Sequence, residues 1–236
     1  MDIVGRTGAS RRYANEFNRL IPLQPTMTEF PGPRLIKMPS APGILVGHRA
    51  ISDGDEMAFW PEERLAFNGS IPKVQRASGA ARSVARTLLS RAGHPQQAIV
   101  KSESGVPLWP HGVVGSLAHD AEIAIAAVAM QRDYSSVGID IEPAEPLDSG
   151  LLAMVATARE REQIDSDPDR GRQLFCIKEA VYKAVYPIDR TFLEHHDVEL
   201  NLAGKIAITC SGRMVRFRVA VSTHIVALAF IGAVRL

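Results

Sequence analysis

The chain has only two cysteines in 236 residues, Cys176 and Cys210, and neither lies in a C-x-x-C pair. That supports neither a zinc site nor a disulfide framework, and it points to a reducing cytoplasm. A surplus of one charge is also missing, with 27 Lys and Arg against 26 Asp and Glu. Overall charge therefore gives no attraction to nucleic acid or to an anionic membrane, and any anion must be gripped by a local cluster. The longest apolar run, Ile123 to Met130, is far too short to span a bilayer of about 30 Å as a helix. Arg6, Arg11 and Arg12 near the start are followed by no continuous apolar stretch, so they do not read as a secretory signal. The expectation is a monomer that engages no nucleic acid and no membrane.

The apolar share of 46% is enough for a buried core, in one large domain or two small ones. Prolines at 22, 25, 31, 33 and 39 break up the first forty residues, which read as a loosely structured leader wrapping the fold. Beyond them, strand, helix and closing strand occur twice. Gly43 to Ile51 reads as a strand, Glu62 to Phe67 as a short helix, Lys73 to Arg91 as a long helix, and Glu122 to Met130 as a buried strand. Then Val137 to Glu142 reads as a strand, Leu151 to Gln163 as a helical stretch, and Gln173 to Tyr186 as a longer helix stopped by Pro187. Four strand-like segments close the chain: Asp197 to Leu202, Ala207 to Cys210, Val215 to Val221 and His224 to Ile231. The pattern predicts an α+β protein of two similar α/β halves, residues 1–133 and 134–236, related by a pseudo-twofold axis and joined near Gln131 to Ser136.

In Val137-Gly-Ile-Asp-Ile-Glu142 the alternation is strict, so Asp140 and Glu142 share the face opposite Ile139 and Ile141. An isolated D-x-E is usually just a solvated strand face, and the pair needs a third partner. Phe175-Cys-Ile-Lys-Glu-Ala-Val-Tyr-Lys183 offers one. Ile177, Ala180, Val181, Ala184 and Val185 form a core stripe, which leaves Lys178, Glu179, Tyr182 and Lys183 on the opposite face. Glu179 and Lys183 are also spaced for a surface ion pair of about 0.3 kcal/mol, which is the plainer explanation of the two. Three carboxylates supply hard oxygen ligands that suit Mg²⁺, an ion that shares itself with substrate phosphates, and the adjacent lysines suit the phosphates.

These residues resemble the phosphopantetheinyl transferase superfamily in its larger pseudo-dimeric type, particularly the branch of the enterobactin-synthesis enzyme and its actinobacterial relatives. Three motifs match in order: Trp109-Pro-His-Gly-Val-Val-Gly-Ser-Leu-Ala-His119, Val137 to Glu142, and Phe175 to Lys183. The match spans roughly Lys73 to Pro187. It implies transfer of 4'-phosphopantetheine from coenzyme A to a serine of an apo acyl or peptidyl carrier protein, releasing 3',5'-ADP. It further implies that Asp140, Glu142 and Glu179 hold Mg²⁺, with Glu179 helping to deprotonate the serine and Lys183 contacting the phosphates, Lys178 nearby. Ser116 and His119 match the segment that holds the adenosine 3'-phosphate end. Arg82 and Arg86, one turn apart in a helix that also carries Lys73, Arg76 and Arg91, match arginines of that branch, one of which binds nucleotide phosphates; a solvated basic face is the alternative.

Two features depart from the family. Gly105-Val106-Pro107 stands where a Gly-Lys-Pro is common, which removes one phosphate contact that Lys101 is placed to replace. Phe175 stands where some relatives have tryptophan, a change of packing. The competing readings are a Mg²⁺-dependent phosphodiesterase or nuclease, and a silent module that binds coenzyme A and carriers. Pro143 and Ala144 after Glu142 disfavour the nuclease, whose common pattern has a lysine two positions on.

Overall fold

The computed structural model describes residues 36–165 and 167–233, so the leader expected over the first forty residues lies outside the described residues up to position 35. Two antiparallel sheets make up the fold, each with one long helix against it. The first contains β1 (Ile44–Ala50), β2 (Val113–His119) and β3 (Ile123–Met130) in the order β1-β3-β2. The second contains β4 (Tyr134–Pro143), β5 (Val198–Asn201), β6 (Ile206–Thr209), β7 (Met214–Val221) and β8 (His224–Gly232) in the order β4-β8-β7-β6-β5. The chain passes from one sheet to the other between Met130 and Tyr134.

Helices α1 (Pro61–Arg64) and α2 (Pro72–Arg91) belong with the first sheet, where Val84, Ala85, Leu88 and Leu89 of α2 pack against Ala126 and Val128 of β3. Pro72 opens α2, where its missing N–H costs no hydrogen bond. Helices α3 (Ser149–Val155), α4 (Ala158–Gln163) and α5 (Pro168–Asp189) belong with the second sheet. Ile177, Ala180, Val181, Ala184 and Val185 of α5 are all buried in its core, as their spacing predicts. A third layer of apolar side chains joins the sheets, with Ile139 and Ile141 of β4 and Leu228 of β8 meeting Ile125 and Ala127 of β3.

Three expectations need correcting. The run Val113–His119 is a full strand that the periodicity did not mark, because only some of its residues are buried. Leu151 to Gln163 is two helices, separated where Thr157 caps α4 and Glu160 reaches back to the Thr157 N–H. Pro187 does not stop α5, which runs on to Asp189. A proline in the last turn forfeits little further helix, and the helix ends one step later, where Arg190 turns left-handed at φ 55° and donates its N–H to Tyr186 O.

Candidate active site

Gly138 decides how the acids of β4 meet α5. A Cβ at this position would lie 2.0 Å from the Ala180 carbonyl oxygen and 2.6 Å from the Ala184 nitrogen, so the helix backbone rests directly on the strand. Asp140 and Glu142 share that face of β4. With the helix so close, Lys183 Nζ donates to Asp140 Oδ1 at 2.6 Å. Asp140 is buried, and its other oxygen, Oδ2, has no hydrogen-bond partner.

Glu142 accepts from Arg172 Nη1 at 3.1 Å, and Arg172 also reaches the carbonyls of Glu145 and Pro146. The carboxyl pKa of Glu142 is raised, first by burial and then by the neighbouring Asp140 charge, with Arg172 opposing both. Lys183 has a raised pKa despite a burial effect that acts the other way, because Asp140 and, further off, Glu179 hold its charge. Glu179 Oε1 lies 3.2 Å from His195 Nε2, and the His195 ring is stacked on Phe175. The surface bridge between Glu179 and Lys183 that their spacing allowed does not form, since each has another partner.

Two cavities flank this charged centre. One of about 640 Å³ is lined by Trp109, Tyr182, Lys183, Tyr186 and the loop from Ser104 to Leu108. The indole of Trp109 lies against Gly115, where a Cβ would approach to 2.5 Å. The other, of about 680 Å³, lies between Lys73 and Arg76 on α2 and His119 and Asp120 at the end of β2. His119 keeps an edge to solvent, yet the packing around its ring pushes its pKa down; Lys183 adds to this, while Asp120 and Asp140 oppose it.

Residues 50–129 match the 4'-phosphopantetheinyl transferase N-terminal domain, and residues 136–229 match the 4'-phosphopantetheinyl transferase superfamily. The 4'-phosphopantetheinyl transferase Npt of Nocardia iowensis is 39% identical over 149 residues, covering 62% of this chain and 67% of that protein. The 4'-phosphopantetheinyl transferase Svp of Streptomyces mobaraensis is 36% identical over 168 residues, covering 67% and 68%. Enterobactin synthase component D of Salmonella typhimurium is 32% identical over 127 residues, 47% of this chain and 52% of that one. The chain belongs to the 4'-phosphopantetheinyl transferase superfamily.

As a phosphopantetheinyl transferase, it moves 4'-phosphopantetheine from coenzyme A to carrier proteins. Of the residues expected at its site, the structure gathers Asp140, Glu142, Lys183 and His119 near one another, with Glu179 close enough to act on the Lys183 charge. Four other residues expected there are engaged elsewhere. Arg82 is 3% exposed, donates to Ile99 O and Ser78 O, and lies over the Phe67 ring. Burial lowers its pKa to about 10. Arg86 is buried and donates to both oxygens of Glu63 and to Ala58 O. Arg86 therefore ties α1 to α2, Arg82 ties α2 to Ile99 and the Phe67 ring, and together they form neither a solvated face nor an open phosphate cradle.

Lys178 is also not on an open face. It is 2% exposed and donates to Glu160 Oε2, Val155 O and His195 O, because the α3–α4 layer covers a second side of α5. Ser116 Oγ accepts from the Ile139 N–H at 3.1 Å, which ties β2 to β4 across the sheets. Lys101 extends over the Phe67 ring, and its backbone bridges to Pro107.

Sequence reasoning missed Arg172, which holds Glu142, and His195, which faces Glu179. It also missed Asp120 and His224, a buried pair 3.0 Å apart without hydrogen-bond geometry that connects the end of β2 to the start of β8. Only Asp120 left a trace in the sequence, as the residue directly after the Trp109-to-His119 motif.

Proposed function

We propose that the reaction is carried by Asp140, Glu142, Glu179 and Lys183, with a carrier serine as acceptor and 3',5'-ADP as leaving group. The observation that carries this reading is the buried Asp140 Oδ2, an acceptor with no partner beside a second acid whose pKa is raised. Such hard oxygen donors fit Mg²⁺. Among the described residues no three acidic, histidine or cysteine side chains stand close enough to grip an ion together, because Lys183, Arg172 and His195 each engage one carboxylate. Holding the ion thus requires these side chains to give way. Bound Mg²⁺ would supply charge neutralisation at the pyrophosphate oxygens.

The residues then divide the work. Lys183, freed from Asp140, pairs with the phosphate from which phosphopantetheine departs and neutralises the charge that develops there. Glu179 accepts the serine proton. The cavity beneath Trp109 and Tyr182 takes the adenosine of coenzyme A, since its aromatic walls suit a nucleobase and Lys183 at its rim faces the phosphates. On α3, Leu152 and Val155 are buried while Leu151 is 47% and Met154 68% exposed, so only the latter two offer a surface to a carrier.

We read residues 1–133 and 134–236 as two related halves and the protein as a monomer of the cytoplasm. The change of sheet between Met130 and Tyr134 and two free cysteines support this. Among the described residues no helix is long and apolar enough to cross a membrane. The test is mass gain on purified apo-carriers from fatty-acid, polyketide and siderophore pathways, with coenzyme A and magnesium. Transfer at full rate in excess chelator would reject the metal assignment, and no mass gain on any carrier would reject serine acceptors of these classes.

A further inference from the structure

Asp120 and His224 stand on different sheets, and nothing assigned so far uses them. Asp120 follows β2, and its Oδ1 accepts from the N–H groups of Glu122 and Ile123, both at 2.7 Å, which closes the turn into β3. Its Oδ2 is left to face the second sheet, 3.0 Å from His224 Nε2 at the start of β8. The two side chains are 8% and 5% exposed. The angle between them is not that of a hydrogen bond, yet a ring nitrogen against an anionic oxygen attracts strongly with so little water nearby. The carboxylate favours the ring proton on Nε2, which leaves Nδ1 to accept from the Thr223 hydroxyl at 3.1 Å. Arg86–Glu63 lies wholly in the first half of the fold and Lys178–Glu160 wholly in the second, whereas this pair spans the two.

What the pair joins is the two sides of the reactive centre. His119 immediately precedes Asp120, so anchoring the turn anchors His119. On the other side, the β4–β8 ladder sets His224 opposite Pro143 and Ile225 opposite Glu142, which puts His224 one register step from that acid. The electrostatics agree with this placement: Asp120 adds to the raised pKa of Glu142, and Lys183 and Asp140 both act on His119. His48 of β1 also faces the pair, and its pKa is lowered by burial and then by His224. Ser116 ties the middle of β2 to β4 through the Ile139 N–H, but one hydrogen bond leaves a strand free to pivot. Asp120 and His224 supply a second point of attachment, and two points fix a direction.

We propose that Asp120 and His224 are positioning residues for the transfer reaction, locking the end of β2 to β8 and so fixing the first half of the centre against Asp140 and Glu142. Neither touches the reacting atoms. The inference rests on the reading of Asp140 and Glu142 as the reactive acids.

The test compares Asp120→Asn, His224→Gln and the two together, in the full chain, by transfer kinetics and melting temperature. Asn keeps the oxygen that closes the turn but sets an amide donor against the ring N–H. Gln places an amide where Nε2 stood; in the double variant its carbonyl turns to the Asn amide, which restores a donor facing an acceptor across the halves. Well below the melting temperatures, kcat is expected to fall about tenfold in Asp120→Asn and to return to within about threefold of wild type in the double variant. His224→Gln alone keeps a donor opposite Asp120 and should stay near wild type. KM for the carrier should change by less than about twofold throughout, because the α3 surface lies in the second half alone. A pair that only adds stability would lower the melting temperature and leave kcat unchanged. That result, or a loss in Asp120→Asn that the second substitution fails to restore, would overturn the assignment and leave the reading of Asp140 intact. Full turnover in Asp140→Asn, assayed alongside, would overturn both.

Discussion

Helices α2 and α5 have much in common: each is long, each packs on a sheet, and each carries cations beside a cavity, yet their charges have opposite fates. In α2 the central arginines turn inward, to Glu63, Ala58 O, Ile99 O and Ser78 O, and only the first turn presents cations to a cavity. In α5 one lysine turns inward to Glu160, and the other, five residues on, reaches the acid of a neighbouring strand. Motif residues on a helix thus acquire their roles from what covers each face. Spacing along the helix does not assign them.

The largest effect expected is on α5 and the strand it faces. Asp140→Asn and Glu179→Gln should each lower turnover by about a hundredfold or more with the melting temperature little changed, because phosphate charge stabilisation or proton transfer is lost while packing remains. A well-folded Glu179→Gln protein with near wild-type transfer would break the contrast at its centre. Lys183→Ala should also slow transfer, without abolishing magnesium binding.

Next comes Arg86→Ala, which leaves Glu63 as an uncompensated charge in the interior and should cost about 3 kcal/mol of stability in denaturant unfolding. Coenzyme A affinity of the folded fraction should be unaltered. Lost affinity with stability retained would return Arg86 to the nucleotide.

A smaller effect comes from Glu142. Its pKa in the folded chain is above the ordinary value of 4.5, so the folded state holds its proton more tightly than the unfolded one. Stability from this group is therefore present below pH 4.5 and is lost as pH rises through the folded value. Without divalent ions, Glu142→Gln should melt higher than wild type near neutral pH, and the difference should shrink towards about pH 4, the ordinary range of a carboxylate. A gap that grows with acidity would show that Arg172 outweighs burial. The smallest effect belongs to Arg76→Ala, within about 0.5 kcal/mol of wild type, since its partner Asp53 is in solvent. A large loss would place this turn of α2 with its buried middle.

The acids were legible because strand alternation forces Asp140 and Glu142 onto one face, and the α5 stripe was legible because apolar spacing reports burial. Lys178 and Arg82 were misread for one reason: a long cationic side chain can be interred when carbonyls and a carboxylate wait for it, and those partners come from distant segments. Asp120 and His224 left no periodic signal, and their meeting depends on how the two sheets stack. The strand Val113–His119 was obscured because half-buried residues alternate irregularly along it.

Gly138 has a consequence for how such an enzyme can change over time. The spacing between the acids and α5 is fixed by main chain against main chain, with no side chain as spacer. Substitutions among the surrounding aliphatic residues can therefore accumulate without moving Asp140 relative to Lys183. At Gly138 even a methyl group would force them apart, and this residue has no chemistry of its own, so drift in the interior is tolerated while the placing of the acids against α5 is inherited unchanged.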